Sequence, residues 1–161
     1  MDWWRKLRST EWMADETQVI GPLTHDDEAR LATQRAVVER HLGTDPANLA
    51  RYATAAGKLG LIRAVLEAKL FLPTQTFELQ CLGIILGDAL VLECGWLWRM
   101  VSDTYGRDPC IKVPGSSMIT FPLTMISKRV ERGEAVNLFD LFNWVVGDVT
   151  ERAMTAAPQP D

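Results

Sequence analysis

The sequence predicts an α+β domain. N-terminal helices and a central buried helix pack on a small antiparallel sheet of two or three strands, and two C-terminal helices follow. Three observations predict it. The segment 78–92, ELQCLGIILGDALVL, is helix-length and apolar almost all the way round, with one carboxylate, Asp88, set inside it. The stretches before it repeat their apolar residues at helical spacing. The stretch after it alternates and is rich in aromatic and branched residues between turn-forming strings, which is strand patterning. At 161 residues and 47% hydrophobic, the chain can bury a sizeable core without metal or disulfide staples.

The start, MDWWRKLRSTEWM, sets Trp3, Trp4 and Trp12 among Arg5, Lys6 and Arg8. It reads as a Trp-rich arm over 1–22 that folds onto the domain or onto a partner chain. A peripheral membrane contact through Trp3 and Trp4 is the minor alternative. A single domain is expected over 23–154. Thr24 suits a helix N-cap, with Asp26, Asp27 and Glu28 in the first turn, where the helix dipole favours acids. Leu31, Gln34, Val38, His41 and Leu42 continue that helix, and Gly43 ends it. Asp45-Pro46 starts the next, as cap and first residue. The Ala- and Leu-rich run to Phe71 should split or bend at Gly57 and Gly60. Leu59, Ile62, Val65, Leu66 and Leu70 form its apolar face, and Arg63, Glu67 and Lys69 turn to water.

Leu72-Pro73-Thr74 breaks that run, and the central helix follows from about Gln75 to Glu93. A helix with no polar face belongs at the centre of its domain. Gly83 and Gly87 share one side of it, and each costs about 1 kcal/mol against alanine, so another backbone should come close there. Trp96–Val101 reads as a strand, 103–108 as a turn, Cys110–Val113 as a second strand between Pro109 and Pro114, and Met118–Phe121 as a third. Pro122 opens a helix that ends at Gly133. Asn137 caps the last one, whose core stripe is Leu138, Leu141, Phe142, Val145 and Val149. The tail, 155–161, reads as disordered.

A net charge of −4 argues against nonspecific nucleic-acid binding. Cys81, Cys94 and Cys110 are odd in number and widely spaced, no CxxC occurs, and His25 and His41 are the two histidines. This points to free thiols in a reducing compartment, with no metal site and no cofactor. The amino terminus shows no signal-peptide core, and no run of about twenty apolar residues exists. A cytoplasmic protein without an integral membrane segment is expected.

The segments LQCLGIILGDAL (79–90), YGRDP (105–109) and PGSSMITFPLTMISKRVERGE (114–134), with Trp96 and Trp98 between and Asp140-Leu141-Phe142 beyond, resemble an uncharacterised bacterial family, a domain of unknown function of the 3806 series. The resemblance spans roughly 30–145. It implies a shared fold and a shared cytoplasmic setting, and it transfers no catalytic residue.

Four constellations could carry chemistry. Asp88 cannot stay buried alone. Arg99, Arg107, Lys128 and Arg129 are the cations on offer, and Arg129 or Arg107, or turn backbone amides, are the expected partners. The strings DTYGRDP and PGSS bring Asp103, Tyr105, Arg107, Asp108, Ser116 and Ser117 close in sequence. A meander places these two turns at opposite ends of the second strand. Ser116 lies in no GxSxG elbow, and PGSS lacks the lysine of a phosphate loop. The basic run Lys128–Arg132 is interleaved with Glu131 and followed by Glu134, as on a solvated helix face. The fourth is the aromatic set Trp96, Trp98, Tyr105 and Trp144: Trp96 and Trp98 share a strand face, which covers a second core layer or, with Trp3, Trp4 and Trp12, offers a candidate contact surface. The resulting expectation is a non-catalytic interaction or regulatory module with a protein partner, self-association included. The alternative is a small-molecule-binding domain or enzyme whose cleft is lined by Asp88, Tyr105 and Arg129.

Overall fold

A helix that is apolar on every side folds only if neighbours cover every side, and the fold is arranged to do so. The computed structural model describes residues 18–161. Its elements in chain order are β1 (Val19–Gly21), α1 (His25–Glu39), α2 (Pro46–Tyr52), α3 (Ala55–Glu67), α4 (Thr76–Cys94), β2 (Leu97–Asp103), β3 (Gly106–Lys112), β4 (Ile119–Thr120), a 3₁₀ turn (Pro122–Thr124), α5 (Ser127–Glu131) and α6 (Leu138–Thr155). The predicted central helix is α4. From Leu79 to Leu90 every residue is buried except Gln80 and Asp88, which are half-buried. It packs against α1, α3, α5, α6, β2 and the 3₁₀ turn. Its exposed apolar residues lie at the ends, Phe77 and Leu92. Truncating Leu82, Ile85 or Leu86 to alanine would cost about 2–5 kcal/mol each.

The helix starts follow the local chemistry. Thr24 and Asp27 form a reciprocal capping box on α1. Asp45 caps α2, with Pro46 in the first turn, and Asn137 accepts from the Asp140 amide at the start of α6. The expected break in the Ala-rich run falls at Ala53-Thr54 rather than at a glycine, with Thr54 capping α3. Gly57 still matters, because a Cβ there would lie 1.7 Å from the Arg51 carbonyl oxygen. It lets the end of α2 fold tightly against the start of α3.

Among the described residues the sheet has four antiparallel strands in the order β1-β2-β3-β4, where the sequence suggested two or three. The added strand, β1, pairs Val19 with Ser102 and Gly21 with Met100. It lies inside the stretch assigned to the arm, so the edge of the sheet begins before residue 22. Three residues are too few for alternation to show. Strand β3 is longer than expected and runs through Pro109, which pairs with Met100. Proline is tolerated because β4 pairs only with Ile111 and Lys112, leaving β3 an edge at that point. The helix expected from Pro122 to Gly133 is broken into the 3₁₀ turn and the five-residue α5.

The break sits where α4 is thinnest. A Cβ at Gly83 would lie 2.5 Å from the carbonyl oxygens of both Pro122 and Leu123. Close backbone approach was expected at both glycines. At Gly87 the neighbour is instead a side chain, the Trp98 indole, 2.3 Å from where a Cβ would stand. Segment 155–161 also departs from expectation. Thr155 still belongs to α6, and from Ala156 the chain is extended and lies against the turn after β3, with Pro158 opposite Ser116. Trp3, Trp4 and Trp12 lie outside the described residues.

Candidate functional site

Asp88 meets neither Arg129 nor Arg107. Arg35 on α1 takes it in a two-pronged grip, Nε to Oδ2 at 2.6 Å and Nη2 to Oδ1 at 2.8 Å. Trp98 on β2 donates its indole N–H to Oδ1 at 2.9 Å. The Asp88 side chain is 12% exposed and that of Arg35 27%. The half-buried carboxylate is therefore satisfied by three donors, two of them from the Arg35 cation. It ties α1, α4 and β2 together. The sequence carried a sign of this partner: Leu31, Arg35 and Val38 stand at i, i+4 and i+7, so Arg35 lies in the apolar stripe of α1. A cation there needs an anion nearby.

A second group borders this pair. Glu39 follows Arg35 by one turn, and Tyr52 and Lys58 come from α2 and α3. Lys58 Nζ sits 3.6 Å from the centre of the Tyr52 ring, and burial draws the Lys58 pKa down. Burial first, then the carboxylates of Glu39 and Asp88, push the Tyr52 phenol well above its usual range. The Tyr52 hydroxyl is buried and closes no hydrogen bond of regular geometry among the described residues. Tyr52 also lines a cleft of about 570 Å³ with His41, Asn48 and Arg51.

Arg107, the other expected partner of Asp88, pairs with Asp27, donating through both terminal nitrogens. Asp27 also accepts from the Thr24 amide at 2.7 Å and is 3% exposed. The sequence placed Asp27 at the start of a helix and gave it no second role. The Arg107 guanidinium, then the Thr24 amide, hold its carboxyl far below the usual carboxylate range. A depressed folded-state pKa means that Asp27 stabilises the fold above its unfolded-state pKa, about 3.9. That contribution is lost as pH falls from there toward the lower folded-state value. Urea midpoints should therefore drop between about pH 5 and about pH 2, and Asp27→Asn should remove part of that slope.

The remaining candidates do not converge. Asp103 accepts from the Tyr105 amide inside the β2–β3 hairpin turn, and Tyr105 is exposed there. Asp108 pairs across the sheet with Val101. Arg129 donates to the Met125 carbonyl one turn back at 2.7 Å. Lys128, on α5, is half-buried, which lowers its pKa. Asp88, Tyr105 and Arg129 thus stand in three separate settings: the α1–α4–β2 ion pair, the β2–β3 hairpin turn and α5. Trp96 is 6% exposed and packs in the main core, and Trp98 packs against it and faces α4. Trp96 thus packs as a core residue, and Trp98 is half-buried. Cys81 and Cys110 are buried, Cys94 is half-buried, and all three are free thiols. Burial pushes the Cys81 thiol up to about 11. Among the described residues no cluster of three or more His, Cys, Asp or Glu could hold a metal ion. No helix there is long and apolar enough to cross a membrane.

These features define an α+β domain built on one buried helix, with its interior charges consumed in ion pairs between elements. The family model described as "Domain of unknown function (DUF3806)" matches residues 58–142. The chain belongs to that family. No curated protein matches it. A crystal structure from Bacteroides thetaiotaomicron VPI-5482 at 1.50 Å resolution shares the fold, with a TM-score of 0.67 and 15% identity. The likeness covers 84% of this chain and 49% of that one, so the chain spans about half the length of that protein.

Proposed function

We propose that this domain is a non-catalytic protein-interaction module whose contact surface is a groove beside α6. Two adjoining hollows of about 490 and 380 Å³ share Ala135 and Val136. Together they run from Leu72 and Pro73, after α3, to Trp144 on α6. Leu72 is 60% exposed and Trp144 55%. A tryptophan left this open at the end of an apolar groove is the observation that carries the reading, because exposed aromatic patches are where protein contacts concentrate. Glu67, Lys69, Arg129, Glu134 and Asp140 supply a charged rim. Asp88 with Arg35, and Asp27 with Arg107, are already paired and tie elements of the fold together.

Self-association through this groove gives a direct test. Sedimentation velocity should show a concentration-dependent rise in mass. Trp144→Ala should weaken the association by about 2 kcal/mol, or about thirtyfold, without lowering the melting temperature. A strictly monomeric chain at high micromolar concentration removes self-association. The second reading, a small-molecule site at the α2–α3 cleft, is favoured by the buried Tyr52 hydroxyl. A metabolite that raises the melting temperature, and loses that effect in Tyr52→Phe, would put it ahead.

A further inference from the structure

Segment 156–161 meets the turn after β3 through one antiparallel β-bridge, Pro158 opposite Ser116. Ala156 ends α6 at ψ 156°. The Ser117 amide then donates to the Ala157 carbonyl at 3.0 Å, and the Gln159 amide to the Gly115 carbonyl at 3.3 Å. Asp161 closes the contact. Its Oδ1 accepts from the Gly115 amide at 2.8 Å and from Lys112 Nζ at 3.1 Å. The Lys112 side chain is 5% exposed. A lysine this deep must have an anion against it. Arg99 shares its sheet face, two positions along β2 from Leu97, the cross-strand partner of Lys112. Its positive charge is also felt at Asp161. Ser117 Oγ is buried in the same turn and has no hydrogen-bond partner among the described residues. Lys112, Gly115 and Ser117 lie within the stretch matched by the family, and segment 156–161 lies outside it.

We propose that Lys112 and the Gly115–Ser117 turn form a binding site for an extended, carboxylate-bearing peptide of a partner protein, which segment 156–161 occupies from within the chain. Main-chain bonds to Gly115 and Ser117 supply strand addition, and the buried ammonium supplies side-chain selection. The ligand carries its carboxylate three residues beyond the position that faces Ser116, as Asp161 follows Pro158. Ser117 Oγ offers a hydrogen bond that the present occupant does not use. The site shares no residue with the groove beside α6, so either can fail without the other.

Acylation of Lys112 by an amine reagent, followed by mass spectrometry on the whole chain with exposed Lys69 as internal reference, tests it. Lys112 should react slowly in the natural sequence. Asp161→Asn removes a charge-assisted hydrogen bond and should speed its acylation about tenfold. The peptide Thr-Ala-Ala-Pro-Gln-Pro-Asp, amidated at its C-terminus so that the Asp side chain is its one carboxylate, should restore protection to that variant, and the same amidated peptide ending in Asn should not. Gln159→Pro, which deletes one main-chain bond of the strap, should also expose Lys112 and guards against a misfolded Asn variant. Equal reactivity of Lys112 in the natural and variant chains would overturn the proposal. So would equal protection by both peptides, or by neither.

Discussion

Gly83→Val should lower the stability of the domain by about 3 kcal/mol, the upper end of what overpacking a core usually costs. For a chain of this size, that is a melting temperature lower by about 6–12 °C. The cause is geometric. A Cβ at Gly83 meets two backbone carbonyl oxygens at 2.5 Å, those of Pro122 and Leu123. Carbonyls held in a 3₁₀ turn cannot rotate aside as a side chain can. Either the turn lifts from α4 or the helix shifts, and either movement opens the buried layer of Leu82, Leu86 and Ile126. Gly60→Ala and Gly147→Ala are the matched controls. Nothing lies within 4 Å of the added carbon at either position. Both are exposed and helical, so each should gain up to about 1 kcal/mol from helix propensity. Thermal unfolding of the three variants separates the need for close approach from the general cost of glycine in a helix.

Asp88→Ala should cost about 3 kcal/mol. Breaking a buried ion pair by removing one partner typically costs about 3–5 kcal/mol, and the low end applies because Arg35 keeps 27% of its side chain in water. The loss is not that of one attraction alone. The Arg35 guanidinium remains in an apolar stripe without its anion, and the Trp98 indole N–H loses its acceptor. Arg35→Met together with Asp88→Leu should recover most of that loss, since a well-packed apolar pair often matches a buried ionic one. Denaturant unfolding of Arg35→Met, Asp88→Leu and the double variant gives the coupling directly. A double variant as unstable as the sum of the singles would mean that the pair is not what holds α1 to α4.

Most of the architecture was legible where its cause is local. The all-round apolarity of 78–92 marked α4 as central. Thr24, Asp45 and Asn137 marked three helix starts, because a capping side chain acts within three residues of itself. The paired glycines marked a close approach, but not which neighbour makes it. What was hidden depends on distant parts of the chain. Asp88 and Arg35 are 53 positions apart, and no periodicity of one helix names its partner on another. Arg107 and Asp27 are 80 apart, and the capping role of Asp27 concealed its second bond. Strand β1 is stabilised by pairing with β2 rather than by any pattern of its own. Segment 156–161 carries two prolines and little apolar surface, which read as disorder, yet its Asp161 carboxylate and Ala157 carbonyl find donors, and its Gln159 amide an acceptor, on the turn after β3. The candidate site was the least legible part, since the polar residues close in sequence, 103–108 and 128–129, are separated by the fold.

Amide hydrogen exchange along α4 tests the arrangement most directly. A helix buried on all sides should open only when the whole domain unfolds. The amides from Leu82 to Leu90 should therefore be the slowest in the protein, with an opening free energy equal to that of global unfolding. Exchange across that stretch faster than in α6 or the sheet would contradict a structure assembled around α4.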